Sequence, residues 1–351
     1  MMTSATIKLQ IGNALPPGNP SESARVISLW KTIHHFFSDT EFTAMAGINA
    51  TSCRYHLSLD ASALLALMEH AVAVADSFDA YASKQGADSS LPISAALTIV
   101  IKRTDQALTE LESYQIASVF IQQLVLACDI CLPGSIQILD SRYQGSGAHR
   151  YEAQTFDSKI LYGAMKAASH NEWPELPVQS FEKVWDWLTL CETSCTDTAL
   201  NNVNKVLFTL LKVAEQRHEY SARTVLLVIY QLEVLLDCRQ AGNHELLHAR
   251  ARSVLGAIPE QSDCLRELLE VRHNLFLASQ PVHRPPLICN HTADALRGQI
   301  GQHNSAVESG TAMVLALLHD LIRHQSQSYT FSENWSRASG DIPALNFCVI
   351  S

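Results

Sequence analysis

The chain has 351 residues, of which 47% are hydrophobic and only 17% charged, with 14 glycines and 12 prolines. That apolar content excludes a dominantly disordered chain, and the low glycine and proline content disfavours an all-β chain with many turns. The net charge of −10 gives no support for strong duplex DNA binding, whereas a small ligand, RNA or a protein partner stays compatible.

In chain order, Ile7–Ile11 alternates like a short strand and is followed by the breakers Pro16, Pro17, Gly18, Asn19 and Pro20. Val26–Phe37 reads as a short helix and Ser52–Leu59 as a second strand. The proline-free segments Ala63–Ser83, Ala95–Ser113 and Ile116–Cys131 are expected to be helices, the last stopped by Pro133-Gly134. Residues 141–156 form the most loop-like interior stretch, and Tyr143, Gly145 and Gly147 mark the expected domain boundary near residue 150. Seven further helices are expected: Ser158–Ala168, Ser180–Cys191, Ala199–Glu219, Ala222–Arg239, Glu245–Leu255, Cys264–Leu277 and Thr292–Gln325. The expected fold is therefore mainly α. A mixed, mostly helical region of unknown role spans 1–150, and an all-α helical bundle spans 151–351. No internal repeat is visible.

The nine cysteines are an odd number and fall mostly in apolar helical patterns. With no signal-peptide pattern at the N-terminus, they read as reduced thiols of a cytoplasmic protein. The longest apolar run, Val225–Leu236, is interrupted by Gln231 and Glu233, so no transmembrane segment is expected.

Several short patterns have metal-ligand or modification spacing. In His244-Glu-Leu-Leu-His248, positions i and i+4 would put two imidazoles on one helix face, with Glu245 polarising a water. Glu267 or Glu270 would be the third zinc ligand of a metallopeptidase; the plainer reading is a solvated helix start, since Ala241-Gly242-Asn243 precede it. His319-Asp320 resembles the metal-binding pair of HD-type phosphohydrolases, with His303 and Asp341 as the remaining candidates, but it also suits the polar face of an amphipathic helix. Cys128/Cys131 and Cys191/Cys195 would be two halves of a zinc site or simply core thiols. The final Cys348-Val-Ile-Ser351 has the form of a prenylation box, which would make the protein membrane-associated if it were exposed to a eukaryotic host as an effector.

Glu233 lies in the apolar run, and Arg272 sits between Leu268-Leu269 and Leu275-Phe276. Opposite charges in apolar settings on neighbouring helices are expected to pair, at a cost of roughly 3–5 kcal/mol if one buried partner is removed. The alternative is a site that binds or cleaves a phosphate ester.

An ordered set of features runs through the C-terminal half. It comprises Trp173-Pro174, Phe181-Glu-Lys-Val-Trp-Asp-Trp187, a long helix around Asn202–Glu215, and the acidic helix Gln231–Leu236. It continues with His248-Ala-Arg-Ala-Arg252, Leu265–His273, Pro281-Val-His-Arg-Pro285 and a last amphipathic helix. In this order the chain resembles bacterial helical proteins with a HEPN-type (Apea-like) domain. The resemblance implies a homodimer in a defence or toxin-like context that acts on RNA without a metal or other cofactor. The family motif is Arg, a polar residue, three residues, then His. Arg272-His273 matches its start, but Leu277 stands where the catalytic His belongs. The site residues implied are therefore Arg272, His273 and Glu233, with His283 as a substitute imidazole. The expected function is an RNA-, nucleotide- or partner-binding module or a weak metal-independent RNase; zinc proteolysis through His244, Glu245, His248 and Glu267 is the alternative.

Overall fold

A computed structural model describes residues 3–14, 20–46, 51–82, 92–104, 107–138, 154–215, 222–238, 244–259, 264–277, 279, 304–335 and 345–350. The chain is mainly α, as expected, and divides into two compact units. Unit 1 comprises Met1–Ser158 and Gln179–Thr198; unit 2 comprises Lys159–Val178 and Ala199–Ser351. The boundary expected near residue 150 lies outside the described residues; the described chain changes unit between Ser158 and Lys159, and does so twice more before residue 200.

Unit 1 is built on four antiparallel strands, β1 (Thr3–Ala14), β2 (Thr40–Ala46), β3 (Thr51–Asp60) and β4 (Pro92–Arg103), in the order β1-β4-β3-β2. Alternation fixes the register. Ile7, Leu9 and Ile11 stand opposite Ile99, Leu97 and Ala95, and all six are buried. Helices α1 (Pro20–Phe36), α2 (Ser62–Ala82) and α3 (Glu110–Cys131) accompany the sheet. In place of the helix expected over Ala95–Ser113, Leu97-Thr-Ile-Val-Ile101 belongs to β4, and helix begins only at Glu110. Four consecutive β-branched residues, Thr98–Ile101, favour the pleated conformation, and Thr109 caps α3 by accepting from the Glu112 amide at 3.1 Å. At the other end of α3, Gly134 has φ +82°, a left-handed backbone that suits glycine. The short ladder of β5 (Gln137–Ile138) and β6 (Phe156–Asp157) follows.

Helix α5 (Phe181–Leu190) belongs to this unit because its aromatic side chains complete the core. Phe181 and Trp185 meet Phe37 of the α1 end at ring-centroid distances of 5.8 and 4.8 Å, and Trp185 lies 5.9 Å from Phe120 of α3. The segment Phe181–Trp187, part of the ordered HEPN-like set, thus packs with the sheet unit. A 3-10 turn, Thr193–Cys195, follows it.

Unit 2 is formed by α4 (Lys159–Asn171), α6 (Asn202–Ala214), α7 (Ala222–Leu235), α8 (His244–Leu255), α9 (Cys264–Phe276) and α10 (Asn304–Arg323). Helix α10 is buried almost all round and packs on α4, α7 and α9. A Cβ added at Gly310 of α10 would lie 2.7 Å from Leu268 and 2.8 Å from Val228, so glycine sets the approach of three helices. The all-α expectation for this half needs one amendment: β7 (Thr330–Trp335) and β8 (Leu345–Ile350) pair antiparallel, with Ser332 opposite Cys348. Among the described residues, α3 and α10 are long and apolar enough to cross a membrane by length and composition. In the fold, 72% and 83% of their most apolar windows are buried.

Candidate functional site

Helix α9 buries Cys264, Leu265, Leu268 and Val271, a stripe at helical spacing, against its neighbours in unit 2. Arg272 comes next to this stripe at its edge, where its guanidinium forms an ion pair with Glu233 of α7. The two side chains retain 18% and 24% of their exposure, so the pair sits at the rim of the seam and not inside it. The anticipated pairing of Glu233 and Arg272 is present. His273 is exposed beside it, and one turn on Phe276 and Leu277 are 79% and 63% exposed. Arg272 with Phe276, and His273 with Leu277, are i,i+4 neighbours, so a cation, an imidazole, an aromatic ring and an aliphatic side chain share one end of the helix. His283 lies outside the described residues.

Helix α8 starts at His244, so His244 and Glu245 occupy its solvated first turn. The His244 and His248 ring centroids are 6.3 Å apart. Burial, then His244 and Arg252, lower the His248 pKa and keep its imidazole neutral. Glu267 and Glu270 are on α9, and no group of three or more His, Cys, Asp or Glu side chains placed to hold a metal occurs among the described residues. Arg250 of the same helix is buried and donates to the Leu236 and Asp237 carbonyl oxygens at 2.8 and 2.9 Å, capping the C-terminal end of α7. Its guanidinium also lies 4.7 Å from the centre of the Phe331 ring.

His319 is buried in α10, while Asp320 turns towards other partners. The Tyr329 hydroxyl lies 3.2 Å from Asp320 Oδ2 and donates to Leu317 O at 2.7 Å; His324 Nδ1 lies 2.9 Å from Asp320 O and 3.4 Å from its carboxylate. Asp320, His324 and Tyr329, with Ser253, Ser326 and Ser328, line a pocket of about 190 Å³. His303 and Asp341 lie outside the described residues. Cys128, Cys131 and Cys191 are buried free thiols and Cys195 is half-buried; burial pushes the Cys191 thiol up to about 12. Thiols held protonated in this way suit the core-packing reading of their spacing.

Unit 1 holds a cluster absent from the sequence reading. Arg103, at the end of β4, forms an ion pair with Glu112 of α3, and the two side chains are only 7% and 9% exposed. The Tyr55 hydroxyl donates to the same Glu112 oxygen at 2.9 Å, and Arg103 Nη2 donates to Cys53 Sγ at 3.5 Å. Burial, then the Glu112 carboxylate, raise the Tyr55 pKa and keep the phenol protonated.

No protein-family model, curated protein or solved structure matches the chain. Three of the groups just described had a signal in the sequence. Thr109-Glu-Leu-Glu112 has the spacing of a helix-capping box and marks where α3 begins. The β-branched run before it marks the strand that delivers Arg103. Arg250 follows Leu247 on the apolar face of α8, an unusual place for a cation without a partner.

Proposed function

We propose that the chain is a helical binding module for single-stranded RNA, HEPN-like in unit 2, working without a metal in a defence or toxin-like context. The observation that supports this reading is the exposed end of α9. Arg272 is oriented by Glu233 and His273 stands beside it, as phosphate ligands require, and the exposed Phe276 offers a face for a base to stack on. Glu233 competes with phosphate for Arg272, so binding is weak and salt-dependent. Cutting at the 2′-hydroxyl needs a general acid or base, and the motif position carries Leu277. The module therefore retains RNA more than it cleaves it, and two copies present two such faces when the protein dimerises.

Fluorescence anisotropy with a short labelled single-stranded RNA tests the proposal. Arg272→Ala and Phe276→Ala are each expected to weaken binding roughly tenfold, with stacking worth about 1–3 kcal/mol per base. Unchanged binding in both variants, or no binding by the parent chain at low salt, overturns it. Metal-independent cleavage that is lost in Arg272→Ala would instead make the protein an RNase.

A further inference from the structure

Asp129 lies on the last turn of α3 and is buried. Its Oδ2 is 2.9 Å from Ser158 Oγ, and its Oδ1 is 3.4 Å from the Gly134 amide. Ser158 Oγ is also 2.7 Å from the Ile136 carbonyl oxygen, and both Ser158 and Ile136 are fully buried. The serine hydroxyl carries one proton. The Ile136 carbonyl can only accept, so the shorter contact uses that proton. The longer contact then needs a proton from the other side, from the carboxyl group. If Ser158 donated to an ionised Asp129 instead, two buried oxygens would face each other at 2.7 Å with no hydrogen between them.

The surroundings agree. The groups that act on Asp129 are the Ser158 hydroxyl, the long Gly134 contact and the Asp157 carboxylate of β6. Asp157 accepts from Gln137 Nε2 at 3.3 Å. Cys128 and Cys131 share α3, where burial holds both thiols protonated, and Glu182 of α5 acts on Cys131. Among the described residues, no Lys, Arg or His is one of the groups that shift Asp129. Burial, helped by the nearby Asp157 carboxylate, outweighs the hydrogen bonds and raises its pKa to about 7.

We propose that Asp129 is a neutral acid in the folded chain, and that its ionisation releases Ser158 from Ile136 and loosens the β5–β6 ladder as a pH-sensitive latch. Ser158 is the residue at which unit 1 ends before the chain enters unit 2, so the latch holds the first crossing point. Ionisation would turn the serine hydroxyl towards the carboxylate, strip the Ile136 carbonyl of its donor and set two carboxylates against each other across β6.

The sign follows from proton binding. The folded pKa lies above the unfolded value near 4, so the folded state holds more protons between about pH 4 and 7. Stability is lost as pH rises through that window, and the loss is complete above the folded pKa. Between pH 5 and 8 the unfolding equilibrium constant of the parent chain should rise by about 100-fold relative to Asp129→Asn. Asparagine keeps the neutral shape: its amide N–H donates to Ser158 and its oxygen accepts from Gly134. The measurement is chemical denaturation of both proteins at a series of pH values. An equal pH slope in both overturns the proposal. Infrared spectroscopy of the folded parent chain is the second readout, in case the variant does not fold. A protonated-carboxyl C=O band that persists at pH 6 and fades towards pH 8 supports the latch; no such band at pH 6 overturns it.

Discussion

An arginine–glutamate pair joins β4 to α3 in unit 1 and α7 to α9 in unit 2, and the two differ in how far water reaches them. Arg103 and Glu112 in unit 1 are sealed in, with Tyr55 and Cys53 supplying further contacts. Arg272 and Glu233 in unit 2 keep about a fifth of their surface. A sealed pair returns its desolvation cost only through complete hydrogen bonding, so it acts as a lock between strand and helix. A rim pair gains less from its partner and remains reachable by a competing anion. The same two residue types thus hold a fold together in one place and leave a partly exposed cation in the other.

The contrast makes graded predictions. Glu112→Ala leaves Arg103 buried without its carboxylate and should cost about 3–5 kcal/mol in urea unfolding; a cost near 1 kcal/mol would erase the difference between the pairs. Gly310→Ala forces a methyl group against Leu268 and Val228 and should cost about 1–3 kcal/mol by the same measurement. That result would place the anchoring of α9 in its packing and not in its ion pair. Arg272→Ala should cost only about 1 kcal/mol, less than a buried pair would imply, and the double variant Glu233→Gln with Arg272→Met should recover part of it. A thermal melt in which the double variant merely sums the two singles would remove the pairing term.

Gln231 gives the smallest effect and the opposite sign. Its side chain is fully buried in unit 2, and both amide atoms lack a hydrogen-bond partner among the described residues. Gln231→Leu should raise the melting temperature, by about 1 kcal/mol of added stability, because it removes a buried polar group that earns nothing from a partner. A lower melting temperature would show that the amide is satisfied in solution.

The legibility of these features in the sequence follows the range of the interaction. Helix α9 was readable because Cys264, Leu265, Leu268 and Val271 repeat at helical spacing, and the pair at its edge was readable because Glu233 interrupts an apolar run. The Arg103–Glu112 lock is hidden, because the stretch from Ala95 also reads as one helix. Its small and aliphatic residues fit either period, and the β-branched run Thr98–Ile101 carried the deciding preference. Strand β2 is short, and among its described side chains only Phe42 and Ala44 are buried in alternation, so its signal is local and weak. The Asp129 cluster depends on Ser158 and Ile136 meeting across the chain, which no spacing rule encodes.

Because the chain leaves unit 1 at Ser158, returns at Gln179 and leaves again after Thr198, neither unit is a continuous stretch of polypeptide. On the ribosome, unit 1 has all its pieces once α5 and the turn after it have emerged. Helix α4 is made before them but packs on α10, one of the last helices to be synthesised. A nascent chain therefore carries α4 with its buried face, including Ile160, Leu161 and Ala164, unprotected while most of unit 2 is translated. Ribosome release before Asn304 should yield a chain with a finished unit 1 and a sticky α4, a natural substrate for holding chaperones.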